Sequence, residues 1–274
     1  MKKLMFAATA LAAGLAMADV TSANVVGYNT NGLNADSYNL IGFQFNKVGG
    51  DADGIDVEKI IKTTGIEPVS YDEAVDEGLG AKIMVRDELG AYTDYYYIND
   101  ARDRSKEGKV YVTGWADPDG DLLNGSLKLP EGAGVWLRVG EAVEAAINFS
   151  GEVLNDNETK VDFIAGYSIL CNPYPKALSP KNVLTEGVTA VSYDEAVDED
   201  LGTKIMIRDA DGAYTDYYYI EDARDRSKEG KVYVTGWADP DGDLLQATDT
   251  ILPVGWGFWL KSDEAGSLTF KLVD

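Results

Sequence analysis

The chain of 274 residues contains no histidine. That absence removes Ser-His-Asp and Cys-His nucleophile systems, and with them zinc, iron and copper sites ligated by imidazole. Cysteine is almost as scarce. Cys171 stands alone among apolar neighbours (Ser168-Ile169-Leu170-Cys171), so neither an internal disulfide nor a thiolate metal cluster is available. A small buried thiol is the expectation there. Any chemistry has to rest on carboxylates, Lys, Tyr or a hard cation. Positive charge is also in short supply, with 24 Lys and Arg against 47 Asp and Glu. A surface this acidic repels nucleic acid and anionic membranes, keeps the protein in solution, and attracts cations or a basic partner.

What is present is a repeat. Residues 69 to 123 return as residues 191 to 245. The 55 positions differ at six: Gly78/Asp200, Ala81/Thr203, Val85/Ile207, Glu88/Ala210, Leu89/Asp211 and Asn99/Glu221. A spacing of 122 residues is too long for a solenoid unit and suits a whole small domain. Two tandem copies are therefore expected, over residues 24–150 and 151–274. No stretch rich in Pro, Gly or Ser separates them, which predicts halves that abut closely or share the strand between them.

Ahead of the repeat, Lys2 and Lys3 precede an apolar run from Leu4 to Leu15 and then Ala16-Met17-Ala18. These are the three parts of an export signal over residues 1–18, with Ala23 as an alternative cut. The run is too short to remain as a membrane-spanning helix, so no integral membrane segment is expected after cleavage. A secreted, periplasmic or cell-surface location follows. Without Lys2 and Lys3 the balance is 22 basic to 47 acidic residues, a net charge of −25.

The body of each copy reads as strands. Lys82 to Arg86 alternates, with Ile83 and Val85 on one face. From Tyr92 to Ile98, Tyr92, Asp94, Tyr96 and Ile98 share one face and Thr93, Tyr95 and Tyr97 the other. Gly134 to Val139 and Gly257 to Lys261 alternate likewise. Eight or so short strands per copy, without a βαβ rhythm, predict an all-β protein of two tandem β-sandwich or partly open β-barrel domains. One short helix is expected in each, from Val57 to Lys62 behind Asp56 and from Pro180 behind Ser179, stopped by Gly65 and Gly187.

Asn172-Pro173-Tyr174-Pro175 follows one strand, and Leu252-Pro253-Val254-Gly255-Trp256-Gly257-Phe258-Trp259-Leu260 builds a later one. With the opening Ala23-Asn24-Val25-Val26-Gly27-Tyr28, they resemble secreted bacterial β-rich repeat proteins that carry NPYP and PGxGFW-type motifs. The first copy departs from the pattern, with Gly42-Phe43-Gln44-Phe45 and Gly134-Val135-Trp136 at the corresponding places. The resemblance implies an extracytoplasmic β-rich module of unassigned role and supplies no catalytic residues.

Two groups of residues are candidates for a site. Asp117, Asp119 and Asp121, with Asp239, Asp241 and Asp243, place three carboxylates at alternate positions of a DPDGD turn, a donor set that suits Ca²⁺. The spacing departs from the EF-hand loop, and a type I turn explains the same residues. The aromatics Tyr95, Tyr96, Tyr97, Tyr111, Trp115, Trp136, Trp256 and Trp259 offer flat rings for stacking on sugars. The sharpest candidates are Tyr95, Tyr97 and Trp115 with their copies Tyr217, Tyr219 and Trp237. Large rings in strands also serve as core. Trp136 and Trp259 share faces with Arg138 and Lys261, which points to partial burial. Carboxylate pairs are too numerous to single out a catalytic one. A non-enzymatic exported surface or matrix protein is expected, acting as a structural or binding module. The rivals are a glycan-binding or glycan-cleaving accessory protein and a calcium-stabilised adhesin. Self-association between such similar copies is a further expectation, as is a glycan or another surface protein as partner.

Overall fold

In the computed structural model the described residues are 26–35, 37–46, 55–57, 61–64, 66–87, 89–140, 146–153, 157–209 and 211–272. The proposed leader lies outside them. The chain is all-β. In the first half the strands are β1 (Val26–Gly32), β2 (Ser37–Gly42), β3 (Phe45–Asn46), β4 (Ile55–Asp56), β5 (Ile61–Thr64), β6 (Lys82–Arg86), β7 (Tyr92–Arg102), β8 (Tyr111–Ala116), β9 (Lys128–Leu129), β10 (Gly134–Val139) and β11 (Ala146–Val153). The second half contributes β12 (Glu158–Phe163), β13 (Gly166–Cys171), β14 (Val183–Glu186), β15 (Thr203–Arg208), β16 (Tyr214–Arg224), β17 (Tyr233–Ala238), β18 (Gly257–Ser262) and β19 (Gly266–Lys271).

Each half is organised around one five-stranded antiparallel sheet. The order is β2-β10-β6-β7-β8 in the first and β13-β18-β15-β16-β17 in the second. A smaller sheet lies against each, with β11 pairing β1, β3 and β5, and β19 pairing β12 and β14. Alternation decides the faces. In β10 the inward side chains Val135, Leu137 and Val139 pack with Ile83, Ile147, Phe149 and Phe45. In the second half Phe258 and Leu260 pack with Ile205, Val161, Phe163, Leu268 and Phe270. A core closed between two sheets is the sandwich arrangement.

Strand β11 ends the first half. Among the described residues all its partners lie between Val26 and Thr64, so it belongs to the first half and is not the opening strand of the second. It runs on to Val153, and the next strand starts at Glu158.

Helical turns stand where the sequence suggested and also at a second place in each half. Tyr71–Val75 (α1) and Tyr193–Asp198 (α2) are α-helices, each opened by a capping box. The Ser70 hydroxyl accepts from Glu73 N–H while the Glu73 carboxylate accepts from Ser70 N–H at 2.8 Å, and Ser192 with Glu195 repeats the pattern. Val57, where the first helix is predicted to begin, is helical; residues 58–60 lie outside the described residues, and Ile61–Thr64 is a strand paired with β11. Ser179 does cap a turn at Pro180, but it is a single 3₁₀ turn ending at Asn182. Strand β14 follows at once because Val183 and Thr185 find ladder partners in Phe270 and Leu268. Ladder bonds and burial outweigh a two-turn helix with few contacts of its own. Helices α1 and α2 cover the outer faces of the large sheets at one end, where Ala74 packs on Ile98, Ala101 and Ala116, and Ala196 on Ile220, Ala223 and Ala238.

Candidate functional site

The other end of each outer face is left for the opposite half. Strands β2 and β13 occupy the same place in their sheets, as do β10 and β18, so Tyr38 corresponds to Tyr167, Gly42 to Cys171 and Trp136 to Trp259. The contacts between halves come in reciprocal pairs. Gly42 N–H donates to Gly255 O at 3.1 Å, and Cys171 N–H donates to Gly132 O at 2.7 Å. Ile41 forms a β-bridge with Trp256, and Leu170 forms one with Ala133. The Arg86 guanidinium donates to Tyr167 O, while that of Arg208 donates to Tyr38 O at 3.1 Å. A contact of i with j matched by j with i is the signature of a twofold, isologous interface. Here it joins two parts of one chain.

Glycines at the start of β10 and β18 permit this approach. A Cβ at Gly134 would lie 2.7 Å from Ile169 Cγ2, and one at Gly257 3.0 Å from Leu40 Cγ. Along the seam four rings touch edge to face. Tyr38 meets Trp136 at 6.2 Å between centroids, Trp136 meets Trp259 at 6.3 Å, and Trp259 meets Tyr167 at 5.9 Å. These separations and tilts suit the ring quadrupoles.

Beside this ladder opens a groove of about 470 Å³ lined by Arg86, Gly90, Tyr92, Tyr167, Met206, Tyr214 and Trp259. Both halves build it. Tyr92 and Tyr214 are equivalent residues of β7 and β16, so the groove straddles the pseudo-twofold axis. Three of its rings are well exposed: Tyr92 at 40%, Tyr167 at 43% and Tyr214 at 43%. Trp259 is half-buried.

The turns after β6 and β15 set the rim. Asp87 Oδ1 accepts from Leu89 N–H at 2.9 Å and Ala91 N–H at 2.8 Å, and Asp209 accepts in the same way from Asp211 and Ala213. Gly90 has φ +87°, and a Cβ there would fall 2.7 Å from Arg86 Nη2. Glycine thus serves both the turn and the guanidinium. On the same outer faces Lys82 pairs with Asp94 at 2.8 Å, and Lys204 with Asp216 at 2.8 Å and Asp200 at 2.9 Å. Burial works against the Lys204 charge, yet the hydrogen bonds to Asp216 and Asp200 outweigh it and hold the ammonium above its usual range.

Of the rings singled out from the sequence, Trp259 lines the groove and Trp136 touches it across the seam, whereas the sharpest candidates, Tyr95, Tyr97 and Trp115 with their copies, lie on the opposite face. Trp115 is 7% exposed and Trp237 3%, both within the cores. Tyr97 packs on Trp115 with centroids 5.4 Å apart, and Tyr219 on Trp237 at 5.5 Å. Tyr95 and Tyr217 are half-buried against the same cores, where desolvation raises their phenol pKa. Packed between sheets, Trp115 and Trp237 have no ring face to offer a ligand. The alternation of β7 separated the two sets of tyrosines correctly. What it did not show was that the mixed, charged face carrying Lys82, Arg86 and Asp94 is the one that frames a groove.

The acidic turns have local work. Asp117 Oδ1 accepts from Asp119 N–H at 3.0 Å and Asp121 N–H at 2.9 Å, while Asp117 O accepts from Gly120 N–H at 2.9 Å. Asp239 does the same for Asp241, Asp243 and Gly242. Asp121 pairs with Arg104, and Asp243 with Arg224 and Arg226. The hydrogen bond from Arg224, then that from Arg226, keeps the Asp243 carboxyl below the usual carboxylate range against the opposing effect of burial. Tyr71 and Tyr193 hydroxyls tie the turns to α1 and α2 through Pro118 O and Pro240 O. Among the described residues no three carboxylates converge as a metal ligand set.

Cys171 is fully buried, and desolvation pushes its thiol up to about 12. In the NPYP corner, Asn172 Nδ2 donates to Lys176 O at 2.7 Å and Asn172 Oδ1 accepts from Tyr174 N–H at 3.0 Å. Tyr174 is buried, its hydroxyl 2.9 Å from Thr159 Oγ1. The motif is a core corner. The PGxGFW-type strand, by contrast, supplies Gly255, Trp256, Gly257 and Trp259 to the seam.

No protein-family model, curated protein or solved structure matches this chain. No helix among the described residues is long and apolar enough to cross a membrane.

Proposed function

We propose that the chain is an exported, non-catalytic surface or matrix protein, and that it acts as a binding module which takes a neutral glycan in the groove between its halves. One observation carries this reading: Tyr92, Tyr167 and Tyr214 present exposed rings, with Trp259 beside them, around a single concave site. Exposed aromatic clusters of this kind are disfavoured on a surface without a partner. Flat rings stack on the apolar faces of pyranoses, and the phenol hydroxyls and nearby Lys–Asp pairs supply hydrogen bonds to sugar hydroxyls. A net charge of −25 after loss of the leader argues for a neutral ligand over a polyanion. The resemblance to secreted β-rich repeat proteins is consistent with this reading.

A glycan array probed with and without Ca²⁺, followed by calorimetry with the best hit, tests it. Binding should be lost in Tyr92→Ala/Tyr214→Ala and in Trp259→Ala, and be kept in Tyr111→Ala/Tyr233→Ala, which removes exposed tyrosines outside the groove. Absence of any glycan hit, or binding that survives the groove substitutions, overturns the reading. Binding that requires Ca²⁺ would transfer the site to the acidic turns.

A further inference from the structure

The seam between the halves is symmetric in its backbone contacts but not in one pair of side chains on its axis. Gly42 and Cys171 are equivalent residues, each pairing with the first glycine of its neighbouring strand, Gly134 and Gly257. They face one another across the seam. A Cβ on Gly42 would lie 2.1 Å from Cys171 Cβ and 3.0 Å from Cys171 Sγ. Carbon atoms without a bond between them approach to about 3.5–4.0 Å, so the axis has room for one side chain and not two. Cys171 fills it, its thiol turned towards Ala133 O at 3.4 Å and Phe43 O at 3.6 Å.

We infer that Cys171 and Gly42 form a peg and notch that makes the seam pair unlike halves. An isologous surface left alone would accept like partners as readily as unlike ones. With a peg on the second half and a notch on the first, two second halves collide at the axis. Two first halves leave a hollow there. Only a first half against a second half is filled without overlap. The same rule applies to a second copy of the chain, which this seam can engage only by setting the first half of one chain on the second half of the other. This specificity belongs to the chain's own seam and does not depend on what the groove binds.

The pseudo-twofold makes the inference testable by exchange. A backbone carbonyl stands beside the peg position on both sides of the axis: Ala133 O contacts the Cys171 thiol, and the equivalent Trp256 O would lie 3.0 Å from a Gly42 Cβ, close enough that it must give way slightly. Three variants of the full chain, kept reduced, decide it: Gly42→Cys, Cys171→Gly, and both together. Gly42→Cys should lower Tm by about 5–10 °C, because overpacking strains both strands. Cys171→Gly should lower it by about 3–6 °C through the hollow left behind. The double variant moves the peg to the other half, removes the clash with Cys171 Cβ, and should recover most of the Tm lost in Gly42→Cys. If Gly42→Cys does not accumulate as folded protein, recovery of soluble folded protein in the double variant is the same result. A double variant that loses as much as the two single changes combined, or that stays unfolded, overturns the peg-and-notch inference. Glycan binding by the parent would be untouched by that outcome, so the two proposals fail separately.

Discussion

Trp136 of β10 and Trp259 of β18 meet edge to face with ring centroids 6.3 Å apart, each also touched by the tyrosine of its own half's edge strand. They are the same residue of two copies, brought together by the pseudo-twofold. Trp136→Leu and Trp259→Leu should therefore not add. A double-mutant cycle read by urea unfolding should give a coupling of about 0.5–1.5 kcal/mol, the range for aromatic pairs beyond their area. Strict additivity would mean that the rings are neighbours without being partners.

Gly90 and Gly212 sit at φ +87° and +89°, and each leaves space for the arginine four residues earlier. Gly90→Ala should cost about 1–2 kcal/mol from the left-handed backbone alone. It should also push Arg86 off Tyr167 O, so any ligand affinity should fall more than in Gly108→Ala, whose added methyl meets nothing within 4 Å despite a similar φ of +88°. Equal effects of the two substitutions on binding would separate Arg86 from the groove.

Gln44 is 1% exposed, and among the described residues neither Oε1 nor Nε2 finds a hydrogen-bond partner. A stranded buried amide costs about 1–3 kcal/mol. Gln44→Met keeps the length and removes the polar atoms, so it should raise stability by about 1–2 kcal/mol in chemical denaturation. Asn172, in the corner where the second half carries NPYP, has bonded its amide to Lys176 O and Tyr174 N–H. Asn172→Leu should accordingly destabilise. A Gln44→Met variant weaker than the parent would mean that the amide has a partner.

The pH response follows from carboxylates alone. Hydrogen bonds from Arg224 and Arg226 lower Asp243, and those from Ser105 and Ser227 lower Asp103 and Asp225. A carboxyl lowered in the folded state contributes stability that is complete above its unfolded value of about 3.9 and is lost as pH falls through the folded one. With no histidine, no side chain of ordinary pKa titrates between about pH 5.5 and 8. Tm should be flat across that window and fall below about pH 4. Asp243→Asn should lower the plateau and make the acid limb shallower. A stability transition centred near pH 6 would contradict this.

Much of the fold was legible because it rests on short-range pattern. Alternation in Lys82 to Arg86 and Tyr92 to Ile98 separates the faces correctly, and the repeat of residues 69–123 predicts the two similar halves. Helical turns do start behind Asp56 and Ser179, but the runs that follow give way to the strands Ile61–Thr64 and Val183–Glu186. Ser70-Tyr71-Asp72-Glu73 carries a further helical signal, a capping box written twice. Strand β5 forms because β11 pairs with it, and nothing in residues 61–64 announces a partner some 85 positions away. The groove was illegible for a related reason. Tyr92 and Tyr167 belong to different halves, and which tyrosine face stays open depends on where the other half lands. The glycines of Gly134-Val135-Trp136 and Gly257-Phe258-Trp259 were visible, but their reason lies across the seam, at Ile169 and Leu40.

Between Val153 and Glu158 the two halves are joined by four residues. A twofold seam between separate molecules weakens as they are diluted, whereas a short tether holds the partner at an effective concentration in the millimolar range. At low protein concentration, that difference decides whether a composite groove persists. Its two walls travel together, so the site is as complete in a single molecule far from any other as it is in a crowd.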